Sequence, residues 1–206
     1  YKALVDKDTS VALPQFTSCS PGWVKFVEHF YPEMLGHLSS VKSPQQMFGA
    51  LIKTYYAKIN KLDPKDIVTV ALMPCSAKKF ECERPEMEAN GLRDVDAVLT
   101  TRELARLLKI YGIQLDSLPE GDFDKPLGIS SGAGAMFGVT GGMMEAALRT
   151  VSEVLTDETL QKLEFNQLRG FSGIKEGSCI IGDKELKLVA AHGLGNARIV
   201  IDRILN

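Results

Sequence analysis

The sequence has few of the features that mark several common classes of protein. Its 206 residues contain only four cysteines, and these lack the regular spacing of a disulfide scaffold. The net charge is −2 and the pI is near 6.0, so no positive field attracts nucleic acid. No apolar run reaches the roughly 18 residues that a membrane span needs. We therefore expect a cytoplasmic protein with no nucleic-acid partner and no membrane span.

Signatures of secretion and of nucleotide binding are also missing. The first residues, Tyr1–Asp6, do not have the pattern of a signal peptide. The glycine-rich run Gly132–Gly138 departs from the dinucleotide fingerprint because its third glycine comes one residue late, and no Walker A lysine is present. The three histidines share no spacing typical of a metal site. We interpret the glycine run as a place of close backbone packing.

Strands and helices alternate along much of the chain. The apolar run 67–74, rich in β-branched residues, predicts a strand buried on both faces, and 94–101 predicts another. Helices between them favour an α/β fold with a mostly parallel sheet flanked by helices, in a single domain over 1–206. The other predicted elements are a strand at 11–16, a hairpin at 177–188, and helices at 21–31, 44–62, 78–80, 101–111, 143–155 and 196–205.

Capping signals predict where several helices begin. Ser20 stands directly before a proline, which favours it as an N-cap. Ser43 with Gln46, and Thr100 with Glu103, have the spacing of a capping box, in which two side chains satisfy N–H groups of the first turn.

Two predicted strands each end shortly before a cysteine and a helix start. The strand at 11–16 leads to Cys19, and the strand at 67–74 leads to Cys75. In α/β folds, groups that handle a ligand gather at the carboxyl ends of strands, so we expect both thiols in one cleft. From position alone, a small buried core residue is an equally good interpretation of such a cysteine.

The residues around the two cysteines read Thr-Ser-Cys-Ser-Pro-Gly-Trp at 17–23 and Met-Pro-Cys-Ser-Ala-Lys-Lys-Phe-Glu at 73–81. They resemble the first two cluster-binding motifs in the catalytic H-cluster domain of [FeFe] hydrogenases. The similarity continues through 43–46, 91–98, 131–135 and 193–197. The resemblance implies the larger part of a two-lobed catalytic domain. The family activity is reversible oxidation of dihydrogen at a [4Fe–4S] cluster joined to a two-iron subsite.

The resemblance also implies roles for single residues. Cys75 matches a thiolate ligand of the [4Fe–4S] cluster. Cys19 matches the proton relay to the two-iron subsite, and Lys78 matches a lysine that donates to a cyanide on that subsite. Glu81 and Ser39 match the proton path, and the residues that match the surroundings of the cofactor are Met73, Phe137, Ser43, Pro44 and Gln45. Taken singly, these side chains also suit surface, capping or core roles.

Two departures separate this chain from a complete family member. The position of another cluster cysteine is held by Ser20, whose hydroxyl is a poorer ligand for a soft iron–sulfide centre. The family's third motif, with two more cluster cysteines, follows the helix at 196–205, where this chain ends. Neither Cys82, expected to be exposed in a charged loop, nor Cys179, expected in a hairpin, matches that motif. We therefore expect an incomplete domain that is inactive alone.

Three functional interpretations stay open. The first is a hydrogenase fragment that by resemblance uses ferredoxin or another electron carrier, with a companion chain carrying the missing motif. The second is a hydrogenase-like protein that binds or hands over iron–sulfur clusters. The third is a sensory or interaction domain that kept the fold and lost the metal. Bound iron and hydrogen evolution discriminate among them.

Overall fold

The computed structural model describes residues 10–129, 131–157, 166–167 and 173–206. The chain divides into two compact units, residues 14–128 (the central unit) and residues 1–13 with 129–206 (the terminal unit). The expected single domain stays a prediction. Each unit is described by itself below.

The central unit carries both predicted cysteine motifs. Its main elements, in chain order, are α1 (Pro21–Phe30), a 3-10 turn (Pro32–His37), α2 (Pro44–Leu51), a π-helical turn (Ile52–Tyr56), α3 (Ala57–Asn60), β1 (Val70–Met73), α4 (Ala77–Cys82), β2 (Glu88–Ala89), β3 (Leu92–Arg93), β4 (Ala97–Thr100) and α5 (Thr101–Ile110).

The terminal unit combines a helix with a hairpin. Its described elements, in chain order, are α6 (Ala133–Met136), α7 (Gly142–Thr156), β5 (Asn166–Gln167), β6 (Ile174–Ile181), β7 (Lys184–Ala191) and α8 (Leu194–Leu205).

A pair of parallel strands organises the central unit. β1 and β4 pair in parallel, with α4 in the connection between them, as the predicted α/β class requires. Ala71 and Met73 of β1 pack on a core of Cys82, Val95 and Val98.

Strand β1 is not buried on both faces, so that prediction is wrong. Val70, on the face away from the core, is 57 % exposed, and Leu72 beside it is also exposed. Successive side chains of a strand point to opposite faces, and the described core contacts reach only one of them.

The predicted strand at 11–16 is also wrong. It is reduced to a single parallel bridge between Phe16 and Leu38. The Phe16 N–H donates to the His37 carbonyl at 2.7 Å, and the Ser39 N–H donates to the Phe16 carbonyl at 2.9 Å. Pro14 has no N–H to extend this ladder towards the N-terminus.

Of the two predicted capping boxes, one forms. At the start of α5, the Glu103 N–H donates to Thr100 Oγ1 at 3.2 Å, and the Thr100 N–H donates to Glu103 Oε2 at 2.8 Å. The box expected from Ser43 and Gln46 is absent, because the Ser43 hydroxyl donates instead to a buried carboxylate. Ser20 holds the N-cap position of α1 without a side-chain capping bond.

The Glu103 carboxylate gives a prediction about pH. Hydrogen bonds from Lys79, and then from the backbone and side chain of Thr100, lower the pKa of Glu103 from 4.5 to about 2. Because the folded pKa lies below the unfolded value, the stabilisation is complete above pH 4.5 and is lost as the pH falls towards 2. We expect Lys79→Met to raise this pKa more than Thr100→Val does, as measured by NMR titration of the carboxyl carbon. An unchanged pKa in both variants contradicts the assignment.

The terminal unit contains the predicted hairpin. β6 and β7 pair antiparallel, and the closing pair Ile181 and Lys184 leaves a two-residue turn in which Gly182 has φ +62°. Cys179 is buried in the hairpin with Ile181 and Leu188, and side chains of α7 pack against this cluster. The hairpin prediction is therefore confirmed.

The expected exposure of Cys82 is wrong. It is the last residue of α4 and lies in the core of the central unit. Burial raises the pKa of both the Cys82 and the Cys179 thiols. All four cysteines of the chain are free. In the part of the chain that the structure describes, each helix is too short or too polar to traverse a lipid bilayer.

Candidate functional site

Lys78 connects the two cysteine motifs. Its backbone N–H donates to the Cys75 carbonyl at 3.2 Å, in the turn that leads from β1 into α4. Its Nζ donates to the Cys19 carbonyl at 2.8 Å, across 59 residues of sequence. The segments that carry Cys19 and Cys75 therefore adjoin each other within the central unit.

A buried carboxylate holds the Lys78 ammonium. Glu81 lies one helical turn further along α4, and its Oε1 and Oε2 are 3.0 and 2.9 Å from Lys78 Nζ. The Lys78 side chain is 13 % exposed and the Glu81 side chain 4 %. Ser43 Oγ donates to Glu81 Oε2 at 2.9 Å. Three segments distant in sequence thus meet in one buried polar network.

This network uses the full donor capacity of Lys78. An ammonium has three N–H donors, and three acceptor atoms lie within 3.0 Å of Nζ, namely the Cys19 carbonyl and both Glu81 oxygens. An anionic ligand at Lys78 must therefore displace one of these acceptors or share its proton. Interpretation of Lys78 as an ordinary surface charge does not fit this burial.

The sulfur and hydroxyl groups around Lys78 differ in exposure. Cys75 is exposed two residues after the end of β1, and Cys19 is half-buried before α1. Ser20 is exposed at the start of α1. Ser39 is half-buried, and its Oγ accepts the Val41 N–H at 3.2 Å. Cys75 is thus the motif thiol most open to an incoming metal.

The first turn of α2 contains two buried amides without partners. Pro44 is half-buried at the first helical position, whereas Gln45 and Gln46 are buried. Neither amide has a hydrogen-bond partner among the described residues, and the same holds for Oδ1 of the buried Asp94. Asp94 Oδ2 accepts from Lys42 Nζ at 2.6 Å. Unpaired buried polar atoms cost stability unless a ligand or water satisfies them.

Gln46 allows a direct test of this cost. We expect Gln46→Leu, which replaces the amide by an apolar group of similar size, to raise the free energy of unfolding by about 1 kcal/mol. The exposed Gln15→Leu is the matched control and should change it by less than about 0.5 kcal/mol. Urea denaturation measures both. Destabilisation by Gln46→Leu alone shows that the amide is hydrogen-bonded in solution.

Two further predicted site residues have different surroundings. Met73 ends β1 and packs on the core around Cys82. Phe137 follows α6 in the terminal unit and is 43 % exposed. Met73 thus packs as an ordinary core residue. Contact of Met73 and Phe137 with a cofactor stays a prediction.

Comparison with known proteins assigns this arrangement to a family. Residues 1–206 match the family described as the iron only hydrogenase large subunit, C-terminal domain. The chain belongs to this family. The hydrogenase resemblance of its two cysteine motifs is thereby confirmed.

Relatives of this hydrogenase family domain include enzymes and assembly proteins. The chain is 56 % identical over 191 residues to the NADP-reducing hydrogenase subunit HndD of Solidesulfovibrio fructosivorans, covering 93 % of this chain and 33 % of that protein. It is 33 % identical over 211 residues to cytosolic iron-sulfur assembly component 3 of Pongo abelii, covering 96 % and 43 %. The apo [FeFe]-hydrogenase HydA1 of Chlamydomonas reinhardtii matches with a TM-score of 0.80 and 38 % identity, covering 98 % and 58 %. The chain thus spans between about a third and three fifths of these proteins.

The described residues do not form a complete hydrogenase cluster site. An iron–sulfur cubane takes four thiolate ligands, but no group of three or more His, Cys, Asp or Glu side chains placed to hold a metal occurs among the residues that the structure describes. Cys75 is suitably exposed, Ser20 offers only a hydroxyl, and the buried Gln45 amide has no hydrogen-bond partner among the described residues. The described residues thus supply one suitable thiol, Cys75, of the four that a cubane needs.

Sequence reasoning missed the connections within this candidate site. The capping-box pattern assigned Ser43 to Gln46, whereas the folded chain pairs Ser43 with Glu81. Gln46 and Asp94 were not predicted as site residues at all. The signal that could have found Asp94 is its repeat with Asp96 at the start of the predicted strand, where buried carboxylates require partners.

Proposed function

We propose that the chain is part of the H-cluster domain of an [FeFe] hydrogenase, an oxidoreductase that interconverts dihydrogen with protons and electrons. The observation that carries the proposal is the contact of Lys78 with the backbones of both Cys19 and Cys75. The thiols of Cys19 and Cys75 and the ammonium of Lys78 belong to adjoining segments of the central unit, which supports the proposal. Family membership supports this chemistry.

Each residue of the site has a separate role in this proposal. The exposed Cys75 would hold iron of the [4Fe–4S] cluster through its sulfur, because thiolates are the preferred donors for iron–sulfur centres. The Lys78 ammonium would bind an anionic ligand of the two-iron subsite by exchanging one of its three present acceptors for that ligand. The Cys19 thiol, with Ser39 and Glu81, moves protons between site and solvent. When bound, the cofactor supplies the electron transfer and the metal that reacts with hydrogen.

The proposal also includes partners and a compartment. One thiolate cannot hold a cubane, so the remaining ligands come from polypeptide outside this sequence or from a companion chain. An electron carrier such as ferredoxin exchanges electrons with the assembled site. The four free cysteines favour a reducing cytoplasm as the working compartment.

A second candidate function is cluster binding or transfer without hydrogen turnover. A relative named as a cytosolic iron-sulfur assembly component is 33 % identical over almost the whole chain. The hydroxyl of Ser20, at a position where hydrogenases have a cysteine, also favours a weaker or more labile site.

Anaerobic reconstitution distinguishes the two functions. The purified chain is incubated with ferrous iron and sulfide, its iron is counted, and hydrogen evolution is measured with reduced viologen. The assay is repeated with a companion polypeptide that carries the third motif. Hydrogen evolution in the mixture supports the hydrogenase, whereas bound iron without hydrogen supports cluster binding. Absence of iron in both preparations overturns both proposals.

A further inference from the structure

Lys78 makes more contacts than a ligand-binding lysine needs. It contacts the backbones of the Cys19 and Cys75 segments, and its ammonium is paired with the Glu81 carboxylate. That carboxylate in turn accepts a hydrogen bond from Ser43. We propose that Ser43 and Glu81 are positioning residues that lock Lys78 as a staple between the Cys19 and Cys75 segments before any metal binds. The relevance of this staple to catalysis depends on the proposed function, but its geometry does not.

The first argument is the burial of the charges. Lys78 and Glu81 are three residues apart on α4, a spacing that on an exposed helix gives a weak ion pair. Here both side chains are largely withdrawn from water. Breaking a buried pair leaves an uncompensated charge, which is strongly destabilising, so the ammonium has a strong preference for this position.

The second argument is the role of the Ser43 hydroxyl. A carboxylate that accepts only from a lysine can rotate with it, because both side chains are flexible. Ser43 is fully buried at the N-cap of α2, and its Oγ donates an additional hydrogen bond to Glu81. This bond fixes the Glu81 carboxylate relative to a second helix. The direction of Lys78 is thereby set by two helices rather than by its own rotamers.

The third argument is the acceptor that Lys78 reaches. The Cys19 carbonyl belongs to the segment just before α1 and is 59 residues away in sequence. No helix geometry requires this contact. The contact holds the Cys19 backbone against α4, the helix that follows Cys75.

The inference predicts that the metal-free, reduced chain already holds its two motif thiols close together. Dibromobimane tests this, because it becomes fluorescent when both of its arms have alkylated thiols. Cys19 and Cys75 are the accessible thiols, whereas Cys82 and Cys179 are buried with raised pKa values and react slowly. Peptide mapping identifies the bridged pair.

We expect the native chain to form a bridged Cys19–Cys75 product. Ser43→Ala should lower the bridging rate about fivefold, the effect of losing one hydrogen bond. Glu81→Gln and Lys78→Met each leave a buried charge unpaired and should lower the rate at least as much. The rate at which monobromobimane labels Cys75 alone should stay the same, because that thiol remains exposed. Ser43→Thr, which keeps the hydroxyl, should restore the native bridging rate.

The matched control is Lys79→Met. Lys79 is the neighbouring lysine on α4 and pairs with Glu103 outside this network. Its replacement removes an ion pair without changing the bridging rate, which separates the staple from general loss of stability. If Glu81→Gln unfolds, Ser43→Ala and Lys78→Met carry the comparison.

The inference is overturned if Ser43→Ala, Glu81→Gln and Lys78→Met all bridge at the rate of the native chain. It is also overturned if the native chain forms no bridged product. Either result can occur in a chain that still binds iron after reconstitution, which leaves the proposed function intact. Conversely, a chain that bridges its thiols but binds no iron keeps the staple and loses the proposed function.

Discussion

Replacing Cys75 with alanine should lower the iron bound after anaerobic reconstitution with the companion polypeptide at least about tenfold, equivalent to ~1.4 kcal/mol or more of binding free energy. Cys75 is the exposed thiol at the end of β1, and thiolate is the donor that iron–sulfur centres require. Ser20 cannot compensate, because it offers a hydroxyl rather than a thiolate. Iron is measured by colorimetric assay and by visible absorbance of the cluster.

Two variants control this experiment. Cys179→Ala removes a thiol buried in the hairpin and should leave the iron content unchanged. Ser20→Cys supplies a soft ligand next to Cys19 and should raise the iron content, since thiolate is preferred over hydroxyl at such centres. Equal iron in Cys75→Ala and the native chain would falsify the assignment of Cys75 as a ligand.

Gly49→Ala should destabilise the central unit by about 3 kcal/mol, near the upper range for overpacked sites. A Cβ at Gly49 meets the Asp94 carbonyl oxygen and then Val95 Cγ2 at 3.0 Å. The nearest atom is backbone and cannot rotate away, so the helix and the segment before β4 must separate. Urea denaturation followed by circular dichroism measures the loss.

Gly22→Ala is the matched control for this substitution. Gly22 lies in the first turn of α1, and a Cβ there meets no atom within 4 Å. We expect this variant to be more stable than the native chain by about 0.5–1 kcal/mol, because alanine has less freedom in the unfolded state and a higher helix propensity. A similar loss in both glycine variants contradicts the steric argument.

The Gly49 contact also bears on the site. α2 approaches the segment at Asp94 closely because residue 49 has no side chain. The N-cap residue of the same helix is Ser43, which donates a hydrogen bond to Glu81. Gly49→Ala should therefore slow dibromobimane bridging of Cys19 and Cys75 as well as lower stability. Slower bridging would show that the packing of α2 at Gly49 affects the orientation of the Lys78 side chain.

Local sequence patterns predicted most of the regular elements. The parallel pair, the α5 capping box and the β6–β7 hairpin follow from signals within a few residues, such as an apolar run, a Thr-x-x-Glu spacing and a Gly-Asp turn. The two cysteine motifs were sufficient to indicate the hydrogenase family, because their residue identities and order are specific.

Predictions failed where the outcome depended on which neighbour a residue meets. Ser43 has the sequence of a cap, but its hydroxyl donates to a buried carboxylate in another helix. Cys82 belongs by sequence to a charged loop, but it lies in the core. The strand at 11–16 needs a partner along its length, and the described chain offers it only Leu38.

The sequence by itself determined the family, the alternation of helices and strands, and the choice of Cys19, Cys75 and Lys78 as candidate site residues. Only the tertiary structure decided how Lys78 is used, because its acceptors lie on segments that are far apart along the chain. Helix and turn signals act through neighbouring backbone bonds, so a sequence displays them. A buried ion pair depends on which surfaces exclude water together, and that is settled when the chain folds.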